Sequence, residues 1–218
     1  SLPSLTGFLA QAGVKNVVQR DLGIELLDSV LTQEFGHNLY AKLRDKVAEV
    51  ERTQSGETGP GSREHYHRVV EGLERFPYLF DRVEMAKDAL RSEEFFDIER
   101  YRESLFLIDK WLELVSVLYF PTRMTVVDNQ FSSYSIYSSR EIGRAIRDES
   151  QNPYLSLFRE RILSSVLADQ PDLIGVSITA TSQIIPGLTL CRLLKEANPG
   201  VHLTIGGSIF TRLVDNLR

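Results

Sequence analysis

The sequence is poor in the features that mark disulfide-bonded, membrane-spanning and nucleic-acid-binding proteins. Cys191 is the only cysteine among the 218 residues, so the chain cannot form an internal disulfide or a metal site built from several cysteines. The most apolar stretch, residues 104–120, contains Asp109, Lys110 and Glu113, whereas a membrane span needs roughly 18 uncharged apolar residues. The net charge of −5 provides no basic surface for nucleic acid. We therefore expect a cytoplasmic protein with neither a membrane nor a nucleic-acid partner.

Common phosphate-binding and nucleophile motifs are also missing. The sequence contains no P-loop, no Gly-x-Gly-x-x-Gly and no Gly-x-Ser-x-Gly pattern. Its composition is that of an ordinary globular protein, with 42% hydrophobic and 25% charged residues. A chain of this length can bury one large core, alone or beside a small second domain.

Residues 171–208 contain the clearest structural pattern. Residues 173–178 are apolar and rich in β-branched side chains, which predicts a fully buried strand. Four apolar residues then recur at helical spacing, namely Ile184, Leu188, Cys191 and Leu194. An Asn-Pro-Gly sequence at 198–200 ends that helix, and residues 201–205 form a second apolar strand. A strand, a helix and a strand in this order predict two parallel strands joined by a right-handed crossover.

Small and polar residues follow both predicted strands. Ligands of open parallel sheets bind outside the carboxyl ends of the strands. The candidate binding residues at these ends are Ser177, Thr179, Thr181, Gly206, Gly207 and Ser208. Their hydroxyls offer hydrogen-bond donors and acceptors, and their glycines let a large ligand lie against the backbone. Glycine after a buried strand is also common in simple turns, so a purely structural role for the two glycines stays open.

The amino-terminal segment predicts the opening part of the same domain. Residues 2–13 predict a helix capped by Ser4, and residues 14–19 predict a strand. A flavodoxin-like sheet has a strand before this first helix, and the sequence has none there. We therefore expect that the chain is a fragment and that the central strand was removed or lies upstream.

The middle of the chain predicts a mostly helical insertion at residues 24–152. Helices are expected at 24–33, 37–51, 63–75, 78–91 and 97–119, and after a cap at Ser138 or Ser139. Between them we expect a loop at 53–62, a helix break at Phe76-Pro77 and a short strand at 124–128. Because the insertion follows the carboxyl end of the second predicted strand, we expect a lid or docking surface above the candidate site.

Together these patterns predict an α/β fold. The expected architecture is a truncated flavodoxin-like (Rossmann-like) parallel sheet with a large helical insertion between its second and third strands. Residues 1–23 and 153–218 would form the sheet domain, and 24–152 the insertion. Asn152-Pro153 would begin the returning helix at 154–168.

Histidine and cysteine give weaker signals. His65 and His67 lie two residues apart on a predicted helix and point to different faces, so a solvated helix start is favoured over a metal site. His37 and His202 stand alone. Cys191 lies on the buried face of its helix, where a thiol is normally inert.

Four segments resemble the amino-terminal domain of cobalamin-binding radical S-adenosylmethionine proteins, at residues 2–13, 19–25, 172–177 and 205–208. The last two are similar to the second half of the cobalamin-binding signature, in which Ser-x-Leu is followed at this distance by Gly-Gly. Ser177 is the serine of that signature, and Thr179 replaces its leucine. The branch that the chain resembles most is that of the anaerobic magnesium-protoporphyrin IX monomethyl ester oxidative cyclases.

The resemblance implies a cofactor and a division of labour. Ser177 would face the nucleotide tail of cobalamin, and Gly206 and Gly207 would let the tail pass between the strand ends. A downstream radical S-adenosylmethionine domain, with a 4Fe–4S cluster, would be the partner and would act on a small-molecule substrate. The family's cobalt-binding histidine would fall at or before Ser1, and no histidine precedes His37. We therefore predict that no histidine of this chain ligates cobalt.

Two other interpretations remain open. The chain would in one case be a degenerate module of the same fold that lost the cofactor and serves as a scaffold. In the other it would be a nucleotide-binding Rossmann-like domain of a transferase. Against the latter, no acidic residue follows a glycine-rich turn at the distance that would bind a ribose.

Overall fold

The fold is α/β and mostly helical, with one parallel sheet of two strands. The structure, a computed structural model, describes residues 2–54 and 60–213. The first half contains α1 (Leu2–Gln11), α2 (Leu22–Val30), α3 (Gln33–Gln54), α4 (Pro60–Phe80), α5 (Val83–Ala89) and α6 (Ile98–Ser116). The second half contains β1 (Arg123–Met124), β2 (Asn129–Gln130), α7 (Ser139–Ala145), α8 (Pro153–Arg161), α9 (Leu163–Leu167), β3 (Leu173–Ser177), α10 (Ile184–Ala197), β4 (His202–Gly206) and α11 (Ser208–Leu213). Short 3-10 turns lie at Glu93–Phe96, Val117–Tyr119 and Thr181–Gln183.

The predicted strand–helix–strand unit is confirmed. β3 pairs with β4 in parallel, in a register that runs from Leu173 opposite His202 to Ser177 opposite Gly206. Helix α10 connects the two strands and packs closely against the end of β3. A Cβ added to Gly187 of this helix would lie 2.6 Å from the Cδ1 atom of Ile178, so the close approach depends on a glycine there.

The prediction that residues 173–178 are fully buried is wrong. Along β3 the side chains alternate between half-buried and exposed, and Leu173 is 59% exposed. The reason is that α10 packs against the sheet, while the face that carries Leu173, Gly175 and Ser177 is exposed in the described chain. The sheet therefore has one open face and two free edges within the described chain.

The strand predicted at residues 14–19 is not formed. Residues 14–20 carry no regular secondary structure, and Val14 and Val18 are 47% and 66% exposed. No strand of the described chain pairs with them, and Asn16 adopts a left-handed backbone with a φ of 61°. An extended apolar segment without a partner strand cannot satisfy its backbone hydrogen bonds as a strand.

Three helix boundaries also differ from the prediction. Helix α1 begins at Leu2, so Ser4 lies inside the helix instead of capping it. Helix α4 continues through Pro77 to Phe80, and the break falls between α4 and α5. The helix predicted at 154–168 is divided into α8 and α9 at Ile162. In the predicted loop at 53–62, residues 55–59 lie outside the described chain.

Helix starts were predicted more accurately. Asp97 caps α6 by accepting hydrogen bonds from the backbone N–H groups of Glu99 and Arg100. Ser138 caps α7 and Asn152 caps α8, each through its side-chain oxygen. The short strand expected at 124–128 is wrong in its bounds: only Met124 lies in a strand, β1, which pairs antiparallel with β2, and residues 125–128 form the turn between them.

One hydrophobic core joins the helical middle of the chain to the sheet unit. Buried apolar residues from α2 through α6 form a single cluster with those of α8 and α10. Trp111 lies at its centre, fully buried, and its indole N–H donates a hydrogen bond of 2.8 Å to the Val30 carbonyl. In the described residues, no helix is both long enough and apolar enough to cross a membrane.

Candidate binding site at the strand ends

The candidate site is built where β3 and β4 end side by side. Ser177 and Gly206 are register partners, and the backbone N–H of Ile178 donates to the Gly206 carbonyl at 2.8 Å. The parallel register therefore places the segments that follow both strands on the same edge of the sheet, as the sequence predicted. We call this edge, formed by residues 177–183 and 206–208, the rim.

A tight turn after β3 occupies part of the rim. The side-chain carbonyl of Gln183 accepts hydrogen bonds from the backbone N–H groups of Thr179 and Ala180, at 2.9 and 3.2 Å. It also accepts one from the Thr179 hydroxyl at 3.2 Å. Gln183 was not among the residues predicted for the site, although a glutamine in the first turn of a helix is a known partner for backbone N–H groups just before the helix.

The two connections are joined by a hydrogen bond across the rim. The Ser208 hydroxyl donates to the Thr179 carbonyl at 3.0 Å. Thr179 and Ser208 thus use their hydroxyls within the protein, where they hold the turn after β3 against the start of α11. Both residues were predicted to contact a ligand, and the structure instead gives both hydroxyls an internal partner.

Ser177 and Thr181 differ from these two residues. Both are exposed, and neither hydroxyl makes a hydrogen bond to the residues that the structure describes. A serine or threonine hydroxyl can donate one hydrogen bond and accept two. The rim therefore presents two hydroxyls with their full capacity available to a ligand.

The two glycines of the rim have different surroundings. Gly207 has a φ of +109°, and a Cβ there would lie 2.2 Å from the Ile178 carbonyl oxygen, so only glycine fits this turn. A Cβ on Gly206 would meet no atom within 4 Å. The sequence left open a purely structural role for the two glycines in a turn, and this role explains Gly207. For Gly206 the fold shows no such requirement, because the space beside it is open.

The helical middle of the chain reaches the rim through the β1–β2 hairpin. Strand β2 lies beside the turn at Thr181–Gln183, and Asn129 of this strand accepts a hydrogen bond of 2.7 Å from the Tyr154 hydroxyl. The insertion was expected to leave from the carboxyl end of a strand at 14–19, and this is wrong because no strand forms there. Arg20, just before α2, donates a hydrogen bond to Ser165 of α9, and the hairpin is the element found beside the rim.

His65 is not the solvated residue that the sequence suggested. Its ring stacks on Phe120 at 4.8 Å, and its Nε2 atom lies 3.0 Å from the Val117 carbonyl oxygen. Burial lowers the pKa of His65 despite that hydrogen bond. In residues 2–54 and 60–213, no three His, Cys, Asp or Glu side chains lie together in a way that could hold a metal ion.

Cys191 is buried as predicted. Its side chain is 9% exposed, and burial raises the pKa of its thiol to about 11. At neutral pH almost none of it is the reactive thiolate.

Comparisons with known proteins identify no relative of this chain. No protein-family model matches the sequence, and no curated protein and no solved structure shows significant similarity to it.

Proposed function

We propose that the rim binds the nucleotide tail of a corrinoid and that the chain is the cobalamin-binding part of a radical S-adenosylmethionine enzyme. The observation that carries the proposal is the open space beside Gly206, which is flanked by its register partner Ser177. Ser177 is exposed and its hydroxyl has no partner in the described chain. These are the positions to which the resemblance assigns the tail.

The residues of the rim fit such a ligand with separate roles. Gly206 would leave room for the tail, and Ser177 and Thr181 would hydrogen-bond to it through their available hydroxyls. Gly207 would act only on the fold, because its Cβ position is filled by the Ile178 backbone. When bound, the corrinoid would supply methyl-transfer or oxidative cyclase chemistry together with the 4Fe–4S cluster and S-adenosylmethionine of a further domain.

The same proposal explains the unusual sheet. Two parallel strands with an open face are marginal in isolation, since parallel sheets are normally covered on both faces. Leu173 is 59% exposed on the open face, which suits a sheet that is extended or covered by further elements. We propose that additional strands complete a flavodoxin-like sheet in a cytoplasmic protein, and that a radical S-adenosylmethionine domain and a small-molecule substrate meet at the rim.

The proposal is tested by titrating the protein with hydroxocobalamin and following the visible spectrum, gel filtration and equilibrium dialysis. We expect the corrinoid to co-elute with the protein. Gly206→Val should abolish co-elution, because the new side chain fills the open space and the fold has no atom there to displace. Ser177→Ala should weaken binding by about tenfold, the typical effect of one lost hydrogen bond to a ligand.

The matched control is Gly175→Val. It introduces the same valine side chain on β3, two residues before Ser177. A Cβ at this position would be in ordinary van der Waals contact with the Cγ2 atom of Thr204, at 3.6 Å. Circular dichroism must show that all variants remain folded. If hydroxocobalamin does not bind the wild-type chain, or if Gly175→Val and Gly206→Val weaken binding equally, the proposal is wrong. A lack of binding would favour the degenerate scaffold.

A further inference from the structure

A cavity lies between α4 and α6, and its lining includes none of the rim residues. Its volume is about 330 Å³, which is at the lower end of the range for small-molecule sites. Gly72 of α4 allows the two helices to approach closely, since a Cβ there would lie 2.7 Å from the Cδ1 atom of Leu114 on α6. The loop after α6 and strand β1 close the cavity from the side.

The lining carries an excess of positive charge. Four basic residues line the cavity, namely Arg68, Arg75, Lys110 and Arg123, against the two acidic residues Glu71 and Glu113. The lining alone has a net charge of +2, or +1 when Glu64 is included, and each of the four cations is ion-paired: Arg68 with Glu64 at 2.7 Å, Arg75 with Glu71, and Lys110 and Arg123 with Glu113. The whole chain has a net charge of −5. This cavity is therefore locally positive on an acidic protein, which favours an anionic ligand.

Glu113 holds two of these cations in place. Its carboxylate accepts a hydrogen bond from Lys110 at 2.9 Å and a second one from Arg123. One carboxylate thus balances two cations, and the arginine keeps donors that the carboxylate does not use. The side chains of Glu113 and Lys110 are 21% and 27% exposed, whereas Arg123 is 45% exposed and presents its guanidinium to solvent.

A buried hydroxyl in the same lining lacks a partner. Thr122 is 3% exposed, and its Oγ1 atom makes no hydrogen bond within the described chain. A buried polar group without a partner costs free energy, and in native proteins it normally pairs with a ligand, an ion or water. Arg123, the next residue, lines the cavity beside it.

The remaining wall is apolar. Leu79, Leu114 and Val117 line it together with the ring of Phe120. The guanidinium carbon of Arg68 lies 5.4 Å from the centre of that ring, so a cation and an aromatic face border the same space. The cavity thus joins a positive region to an apolar one.

We propose that this cavity binds a small phosphate monoester with an apolar body. The cations come from three elements, α4, α6 and β1, and a phosphate group has three strong acceptor oxygens to share among them. The apolar body would lie against Leu114, Val117 and Phe120.

The test is isothermal titration of the whole chain with phenyl phosphate, at low salt and at 0.15 M salt. We expect saturable binding that weakens as the salt concentration rises. Arg123→Gln should weaken it by about tenfold. Thr122→Val should leave binding unchanged and the ligand-free protein at least as stable as wild type, because it removes a buried hydroxyl that has no partner and no surface in the cavity. Phenol and inorganic phosphate should each bind more weakly than phenyl phosphate.

The matched control is Arg159→Gln. Arg159 forms an ion pair with Glu149 at 2.7 Å and is 41% exposed, similar to the 45% of Arg123, but it does not line the cavity. No binding of phenyl phosphate at millimolar concentration would overturn the proposal. Equal weakening by Arg123→Gln and Arg159→Gln would also overturn it, since the effect would then be general charge attraction. Thermal melts of each variant separate a loss of binding from a loss of folding.

Discussion

Gly206 and Gly207 are adjacent in the sequence but are subject to different steric constraints. Gly207 has a positive φ, and the Ile178 backbone occupies the place of a side chain. Gly206 pairs with Ser177 at the end of β4 and has open space where its Cβ would be. A double substitution would therefore mix a folding effect with a binding effect, and single substitutions are needed to separate them.

We predict that Gly207→Ala lowers the free energy of unfolding by at least about 2 kcal/mol. The new Cβ would lie 2.2 Å from a backbone oxygen, and the backbone would have to leave its positive φ. Gly206→Ala should change the same quantity by less than about 1 kcal/mol, because nothing lies within 4 Å of its Cβ position. Urea unfolding followed by circular dichroism measures both. Equal losses in the two variants would contradict the assignment of separate roles.

The rim shows what residue types alone could predict. The sequence correctly located the six residues on one edge of the sheet, because parallel strands of equal length end together. It could not tell which hydroxyls would be free. That depends on Gln183, whose side chain turns back to Thr179, and on the Ser208 bond across the rim. Both are contacts made by the tertiary turn, and residue spacing does not reveal them.

Helix α8 begins at a buried cap residue that also bonds to two other helices or their ends. Asn152 is 1% exposed, and its side-chain oxygen accepts a hydrogen bond from the Tyr154 N–H at 3.0 Å. Its side-chain nitrogen donates to the Ala145 carbonyl at 3.0 Å and to the Thr189 hydroxyl at 2.9 Å. The cap therefore also connects α8 to α7 and to α10, next to the sheet.

We predict that Asn152→Ala lowers the free energy of unfolding by about 2–3 kcal/mol, since it removes a cap and three hydrogen bonds to groups on three elements in a buried place. Ser138→Ala is the comparison, because Ser138 caps α7 through one hydrogen bond of 3.4 Å at a less buried position. Its loss should be about 1 kcal/mol or less. Chemical denaturation of both variants tests this, and a cost for Asn152→Ala no larger than that for Ser138→Ala would refute it.

Local signals predicted helix starts better than they predicted strands. Asp97, Ser138 and Asn152 act within one helical turn, so the sequence contains everything that their caps require. A strand needs a partner elsewhere in the chain. Residues 14–19 have strand-like composition but no neighbouring strand in the described structure, and they stay irregular. A local signal also gave a wrong prediction at Pro77. Proline usually ends a helix, but α4 continues past it to Phe80.

At the scale of the whole molecule, one core connects the helical middle to the sheet unit. Leu194 of α10 and Trp111 of α6 are both fully buried members of a single hydrophobic cluster, although they lie on opposite sides of the predicted domain boundary at residue 152. An independent insertion would have a core of its own. The packing therefore favours one cooperative unit.

We predict that Leu194→Ala destabilises the surroundings of Trp111 by as much as it destabilises the sheet unit. The loss should be about 2–5 kcal/mol, the usual cost of removing a buried leucine side chain. Trp111 is the only tryptophan, so its fluorescence reports the helical middle alone, while far-ultraviolet circular dichroism reports the whole chain. Both denaturation curves should shift together to lower urea.

The control is Leu5→Ala, the same substitution at a residue of α1 that is 53% exposed, and it should leave both curves in place. If Leu194→Ala moves the circular dichroism transition but leaves the Trp111 transition unchanged, the helical middle folds independently of the sheet. It would then be a domain separate from the sheet unit. If both transitions move together, a ligand bound at the rim stabilises the helical middle as well, because binding to one part of a cooperative unit raises the free energy of unfolding of all of it.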